Sequence, residues 1–216
     1  MFSSIVNIFM ISVGFSAIDT IFVNFGAQGV YYGVHAIHNA IIVHSTLPDV
    51  VHTITNFQSV ATYPTNIFAI ELCAALHLYH IVFYWRKFRM DDWLHHILMI
   101  GIALPIGAAL NAGSLMGYSL FFTTGLPGGI DYSLLFLNRN GIVPKDIQKR
   151  VNCWIQVWVR SPGCVSQAAF TTAYILSAPY NIFTLYGGLL TAYLNYWNGQ
   201  YFMQQVVLDA GSRQLA

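Results

Sequence analysis

Long apolar runs broken by short polar clusters dominate this chain. Residues 93–130 hold no Asp, Glu, Lys or Arg across 38 positions, and residues 161–208 hold none across 48. A helix needs about 20 apolar residues to cross roughly 30 Å of hydrocarbon, so each run has room for two crossings or nearly two. Strict polar–apolar alternation is absent, which argues against a β-barrel. The pattern predicts spans near 5–25, 27–44, 60–84, 93–112, 114–137, 151–177 and 180–206. That makes seven, or six if the first segment does not cross fully. Pro105 should kink the fourth span, Pro127-Gly128-Gly129 should break the fifth, and Pro162-Gly163 the sixth. Breaks at membrane depth are tolerated beside protein or a wet cavity, so the expectation is a kinked bundle enclosing a cavity.

Composition agrees. Only 8% of the 216 residues are charged, against about 25% in a soluble domain. A net charge of +1 gives no basic patch for nucleic acid. One transmembrane domain covering 1–216 is expected.

The few charges are not scattered. Arg86, Lys87, Arg89, Asp91 and Asp92 form one cluster, and Arg139, Lys145, Asp146, Lys149 and Arg150 form another. Two crossings separate them, so they share a face, and their Lys and Arg content assigns that face to the cytoplasm. The C-terminus, with Arg213, should lie there too, and seven spans put the N-terminus outside. The first helix has no basic n-region, so it is expected to be retained. Cys73, Cys153 and Cys164 have no metal-ligand spacing and read as small apolar residues. Gly101, Ala103, Gly107, Ala108 and Ala109 would permit close helix contacts.

Eight histidines all fall between residues 35 and 96. His35 with His38, and His77 with His80, are spaced i, i+3 and so share a helix face. His95 and His96 open a long apolar helix directly after Asp91 and Asp92, either of which suits the N-cap. Asp92 lies three and four positions before the two rings. A carboxylate on one ring nitrogen makes the other a better base. Both rings are expected to line one cavity near the surface, a depth that suits a lipid with a polar head and a buried tail. Intramembrane ionisable groups point to function, so His77, His80, Asp131 and Arg160 are candidate lipid-binding residues. Arg160 is expected to cap carbonyls of a broken half-helix or bind phosphate, with Asp131 as its charge partner. Glu71 faces away from His80 and reads as a hydrogen-bonded structural carboxyl.

At these residues the chain resembles the TLC-domain family, which includes the ceramide synthases and translocation-associated membrane proteins. The carrying features are the charged turn Arg86–Asp92 leading into His95-His96, and Leu194-Asn195-Tyr196-Trp197 opening the last apolar run to Val207. Gly125–Leu137 lies where members carry a polar break. The resemblance covers about residues 30–207 and implies an all-α polytopic bundle with a six-helix core plus one leading helix. It implies residence in the endoplasmic reticulum or another intracellular membrane. It also implies acyl transfer from acyl-coenzyme A, as co-substrate, to a lipid amine. His95 and His96 are the catalytic candidates, with Asp92 beside them. No metal and no resident cofactor are implied. The chain departs from the synthases in having no histidine after His96, so their downstream His-Asp set is missing.

Three other readings compete. A di-iron hydroxylase or desaturase needs about eight histidines, but in boxes that this spacing does not form. Leu76-His77-Leu78-Tyr79-His80 looks like an elongase box, yet Ile81 replaces its final histidine. A non-catalytic lipid-binding protein, or a structural partner of itself or other membrane proteins, needs no histidine chemistry at all.

Overall fold

The computed structural model describes residues 2–177 and 181–214, and its described residues contain helices and turns without strands. Among the described residues seven long helices form: α1 Phe2–Asn24, α2 Val30–Thr55, α3 Ile67–Tyr84, α4 Met90–Leu110, α5 Ser114–Arg139, α6 over 145–177 and α7 Ile182–Gln214. Ser3–Asn24, Ile67–Lys87, Met90–Leu110 and Ser114–Arg139 are long and apolar enough to cross a membrane. The protein is therefore an all-helical membrane protein. Helices α2, α6 and α7 carry more polar residues and fall outside that set.

Helix α2 shows this most plainly. It was expected to end near residue 44, but it continues past Pro48 to Thr55. Its extra turns carry Thr46, Asp49 and Thr53, all buried. Thr46 donates to the Ile42 carbonyl at 2.6 Å, Thr53 donates to Ser114 at 2.9 Å, and Asp49 accepts from Asn66 at 3.2 Å. Partners inside the bundle replace water and let the polar segment stay helical.

Helices α2 and α5 pack lengthwise at the centre. α1 and α3 flank α2 on one side, α6 and α7 cover α5 on the other, and α4 bridges α3 to α7. Close approach comes from glycines on α5: a Cβ at Gly117 would lie 1.8 Å from Asp49 Oδ2, and one at Gly128 would lie 2.7 Å from Asn39 Nδ2. The small residues expected to serve this purpose on α4 mostly do not, because Gly101, Ala108 and Ala109 are exposed. Only Gly107 meets a neighbour that closely, at Met116.

The prolines do not break their helices. Each is preceded by five residues of wider π-helical turn and one further residue: Met99–Ala103 before Pro105, Phe121–Gly125 before Pro127, and Gln156–Arg160 before Pro162. A proline removes one N–H and crowds the preceding turn. The wide turn makes room for the ring and shifts the hydrogen bonds, so the helix continues.

The charged clusters share one end of the bundle, as expected. There Gln28 and Asn140 exchange hydrogen bonds of 2.9 Å, and Lys149 pairs with Asp209 at 3.3 Å. At the opposite end Gly113 N–H donates to Thr65 and Thr65 donates to Asn111.

Gly117→Ala should lower the thermal unfolding midpoint in detergent, at a cost of about 1–3 kcal/mol for overpacking. Gly101→Ala, where a Cβ meets nothing within 4 Å, should leave it unchanged or raise it. Equal midpoints for the two variants would contradict the α2–α5 contact.

Candidate functional site

The first turn of α4 sets the site's geometry. Arg89, not an aspartate, is its N-cap; Asp92 sits at the third position and its carboxylate accepts the Arg89 N–H at 2.9 Å. The expected Asp92 side chain on histidine is thus replaced, because the capping box already uses that carboxylate. It is the Asp92 carbonyl that accepts from His96 Nδ1, at 2.7 Å. His96 is 4% exposed and packs on Phe88 with ring centroids 4.5 Å apart. His95 is exposed. Adjacent in sequence, the two rings have different surroundings.

Helices α2, α3 and α4 bring His35, His77, His80, His95 and His96 into one cluster. His35 stacks on His80 at 4.3 Å, and His77 lies 5.1 Å from His96 between ring centroids. His77 Nδ1 bonds the Cys73 carbonyl at 2.7 Å, and its Nε2 meets His95 Nε2 at 3.2 Å. The carbonyl can only accept, so His77 carries its proton on Nδ1 and offers a lone pair at Nε2. With both rings neutral, His95 must donate from Nε2, which leaves His95 Nδ1 as a bare base. His80 Nε2 and His96 Nε2 are buried and meet no partner among the described residues. Among those residues no three His, Cys, Asp or Glu side chains group as a metal site.

Arg160 holds a second position. Its guanidinium donates to the Thr123 carbonyl, to Asn198 Oδ1 at 3.1 Å and to Gln156 Oε1 at 3.3 Å, and lies 3.9 Å from the Phe202 ring. The Thr123 carbonyl is four residues before Pro127, so in a regular helix its partner would be the N–H that proline lacks. Arg160 supplies that donor. This agrees with the expected capping of a broken-helix carbonyl, but the carbonyl belongs to α5 rather than to Arg160's own helix. Asp131 is not its ion-pair partner; Asp131 instead accepts from Gln148 at 2.9 Å. Packing of α6 on α5 puts that neutral amide nearer the carboxylate than the guanidinium.

Between α4, α5, α6 and α7 lies a cavity of about 230 Å³, with Met99, Thr123 and Asn198 toward Arg160 and Leu110, Tyr174 and Ile175 farther along. The expectation that His95 and His96 line it is corrected: no histidine does, and its nearest wall residue on α4 is Met99, one turn deeper. His96 is turned instead into the α2–α3 side of α4. The three wide turns converge here, contributing Met99, Thr123 and, just behind the wall, Arg160.

Other groups escaped the sequence. Asp19 accepts from Tyr79 and, at 2.6 Å, from Tyr84, tying α1 to α3. Tyr31 and Tyr132 both pack on His35, with ring centroids 4.1 and 4.2 Å away. The Asp19–Tyr79, Asp19–Tyr84 and His35–Tyr132 contacts are formed across helices, where spacing carries no signal, whereas Tyr31 and His35 are spaced i, i+4 on α2 and so share a face. Glu71 accepts from Asn7 at 3.1 Å, the structural role expected of it. Cys73 and Cys164 are buried free thiols.

Comparison with protein-family models, with curated proteins and with solved structures found no match to this chain.

Nitrogen-15 spectra of histidine-labelled protein in nanodiscs should show His95 protonated on Nε2 and His77 on Nδ1. His77→Phe should release His95 into a tautomer mixture. An intact His95 carrying its proton on Nδ1 would contradict the pairing.

Proposed function

We propose that the protein handles a fatty-acyl lipid, with the tail in the α4–α7 cavity and the carbonyl end between Arg160 and His95. The observation that carries this reading is the His77–His95 contact, which fixes the tautomer of an exposed imidazole base one helical turn from Met99 in the cavity wall. The reaction best served is the one implied by the TLC resemblance, acyl transfer from acyl-coenzyme A to a lipid amine. In that reaction the amine nitrogen bonds to the thioester carbonyl carbon while His95 Nδ1 takes the amine proton. The C–S bond then breaks, and the departing thiolate receives the proton from His95. An amide and free coenzyme A thiol result. Arg160 stabilises the oxyanion that forms between the two steps, and a preorganised charge is effective there because water is scarce.

His77 acts as a positioning residue, holding the His95 tautomer. Asp92 supports the helix turn, and His80 and His96 pack the interior of the cluster. Asp131 lies one helix away with Gln148 and orders the α5–α6 contact. The charge-rich end faces the cytoplasm by the positive-inside rule, in the endoplasmic reticulum or another intracellular membrane. Membrane lipids are the primary partners, with self-association or other membrane proteins secondary.

A non-catalytic lipid-binding role is the second reading. It is favoured by the histidines' absence from the cavity wall and by the missing downstream His-Asp set. The two readings separate on one variant. His95→Ala should reduce amide formation from acyl-coenzyme A and sphingoid amine by about 100-fold or more, with bound lipid retained, whereas His44→Ala, exposed on α2, should match the unaltered protein. Full retention of the cellular lipid profile in His95→Ala would select the binding role.

A further inference from the structure

The cavity wall carries one polar atom that its neighbours leave unsatisfied. Gln167, 4% exposed, lines the cavity and donates from Nε2 to Thr171 at 2.9 Å, while its Oε1 has no partner among the described residues. The amide's two ends exchange roles if it is flipped, so one of them faces the cavity unpaired in either orientation. Neighbouring wall groups are satisfied: Ser119 donates to Asn195 Oδ1 at 2.8 Å, and Asn195 donates to the Thr191 carbonyl at 2.9 Å. A buried unpaired amide is costly, so this atom asks for a ligand hydroxyl, which serves either amide orientation.

Arg160 is the second anchor. Every acceptor it contacts is neutral, and the ion pairs among the described residues are Arg89–Asp91 and Lys149–Asp209. A guanidinium with no carboxylate in contact suits an anionic or strongly polarised ligand oxygen. From Arg160 to Gln167 is seven residues, about 10 Å along the helix or roughly eight to nine carbon–carbon bonds of an extended chain. Beyond Gln167 the wall continues to Thr171 and Ile175, leaving space for the rest of a tail.

We infer that the cavity selects a single fatty-acyl chain hydroxylated near its middle, its carboxylate or thioester oxygen at Arg160 and its hydroxyl at Gln167. This rests on the lipid-handling reading above and names the substrate class for that site.

The test uses the full chain in nanodiscs and competition against a fluorescent fatty acid. The probes are octadecanoic acid, the same acid hydroxylated at its tenth carbon, the isomers hydroxylated at the second and last carbons, and the coenzyme A thioesters of the first two. The mid-chain hydroxy acid should bind about five- to tenfold more tightly than the plain acid and both isomers, the gain of one satisfied buried hydrogen bond. Gln167→Leu should abolish that preference while retaining the plain acid. Arg160→Gln should weaken both chains alike, and Arg160→Lys, which keeps the charge, should partly restore them. Tighter binding of the thioesters than of the acids would identify the coenzyme A form as the source, and the reverse would identify the free acid. Equal affinity for plain and mid-chain hydroxy chains in the unaltered protein would overturn this inference and leave lipid handling standing. Failure of every chain to bind would overturn both.

Discussion

Polar groups inside a hydrocarbon layer must find their partners within the protein, and this bundle is arranged around that requirement. Helix α2 lies at the centre with His35, His38, Asn39, Thr46, Asp49 and Thr53 buried. Neighbouring helices supply acceptors and donors, as in Thr124 to Asn39 at 3.0 Å and Asn66 to Asp49. Such bonds demand close approach, and the glycine face of α5 provides it. In a soluble protein the polar stripe would face outward; here the exposed residues are chiefly apolar, and Ile5, Phe9, Val51, Ile54 and Trp158 stand on the outside.

The prolines belong to the same logic. Each widens a turn, and the displaced backbone groups lie where the cavity forms. Thr123 and Arg160 show how a structural need becomes a chemical feature: the carbonyl orphaned by Pro127 draws the guanidinium inward, and the guanidinium then stands at the cavity end. A cation at this depth is costly, yet its hydrogen bonds to Thr123, Asn198 and Gln156 and its position over Phe202 hold it there.

Much of the architecture was legible from residue pattern. Long uncharged runs gave the helices, and the two basic clusters gave a shared end, because both properties are local in sequence. The pairs His77 with His80 and His95 with His96 were each legible from spacing, but that α3 and α4 bring the two pairs together was not. Partner choice was not legible. Asp92 lies within reach of His95 and His96 along its helix, but the unpaired Arg89 N–H is nearer and claims it. Asp131 and Arg160 look like complementary charges, but whether they touch depends on how α5 and α6 rotate against each other. The Tyr79–Asp19–Tyr84 contact spans about 60 positions, and helical periodicity has no information at that range.

The lopsided placement of charge has a consequence for how the chain enters its membrane. The turns at the uncharged end, 56–66 and 111–113, contain no Asp, Glu, Lys or Arg, and neither does 177–181. Consecutive helices can therefore insert as hairpins whose leading bends carry only neutral groups through the lipid. Each charged side chain drawn across would add about 2.5–3.5 kcal/mol on the insertion scale.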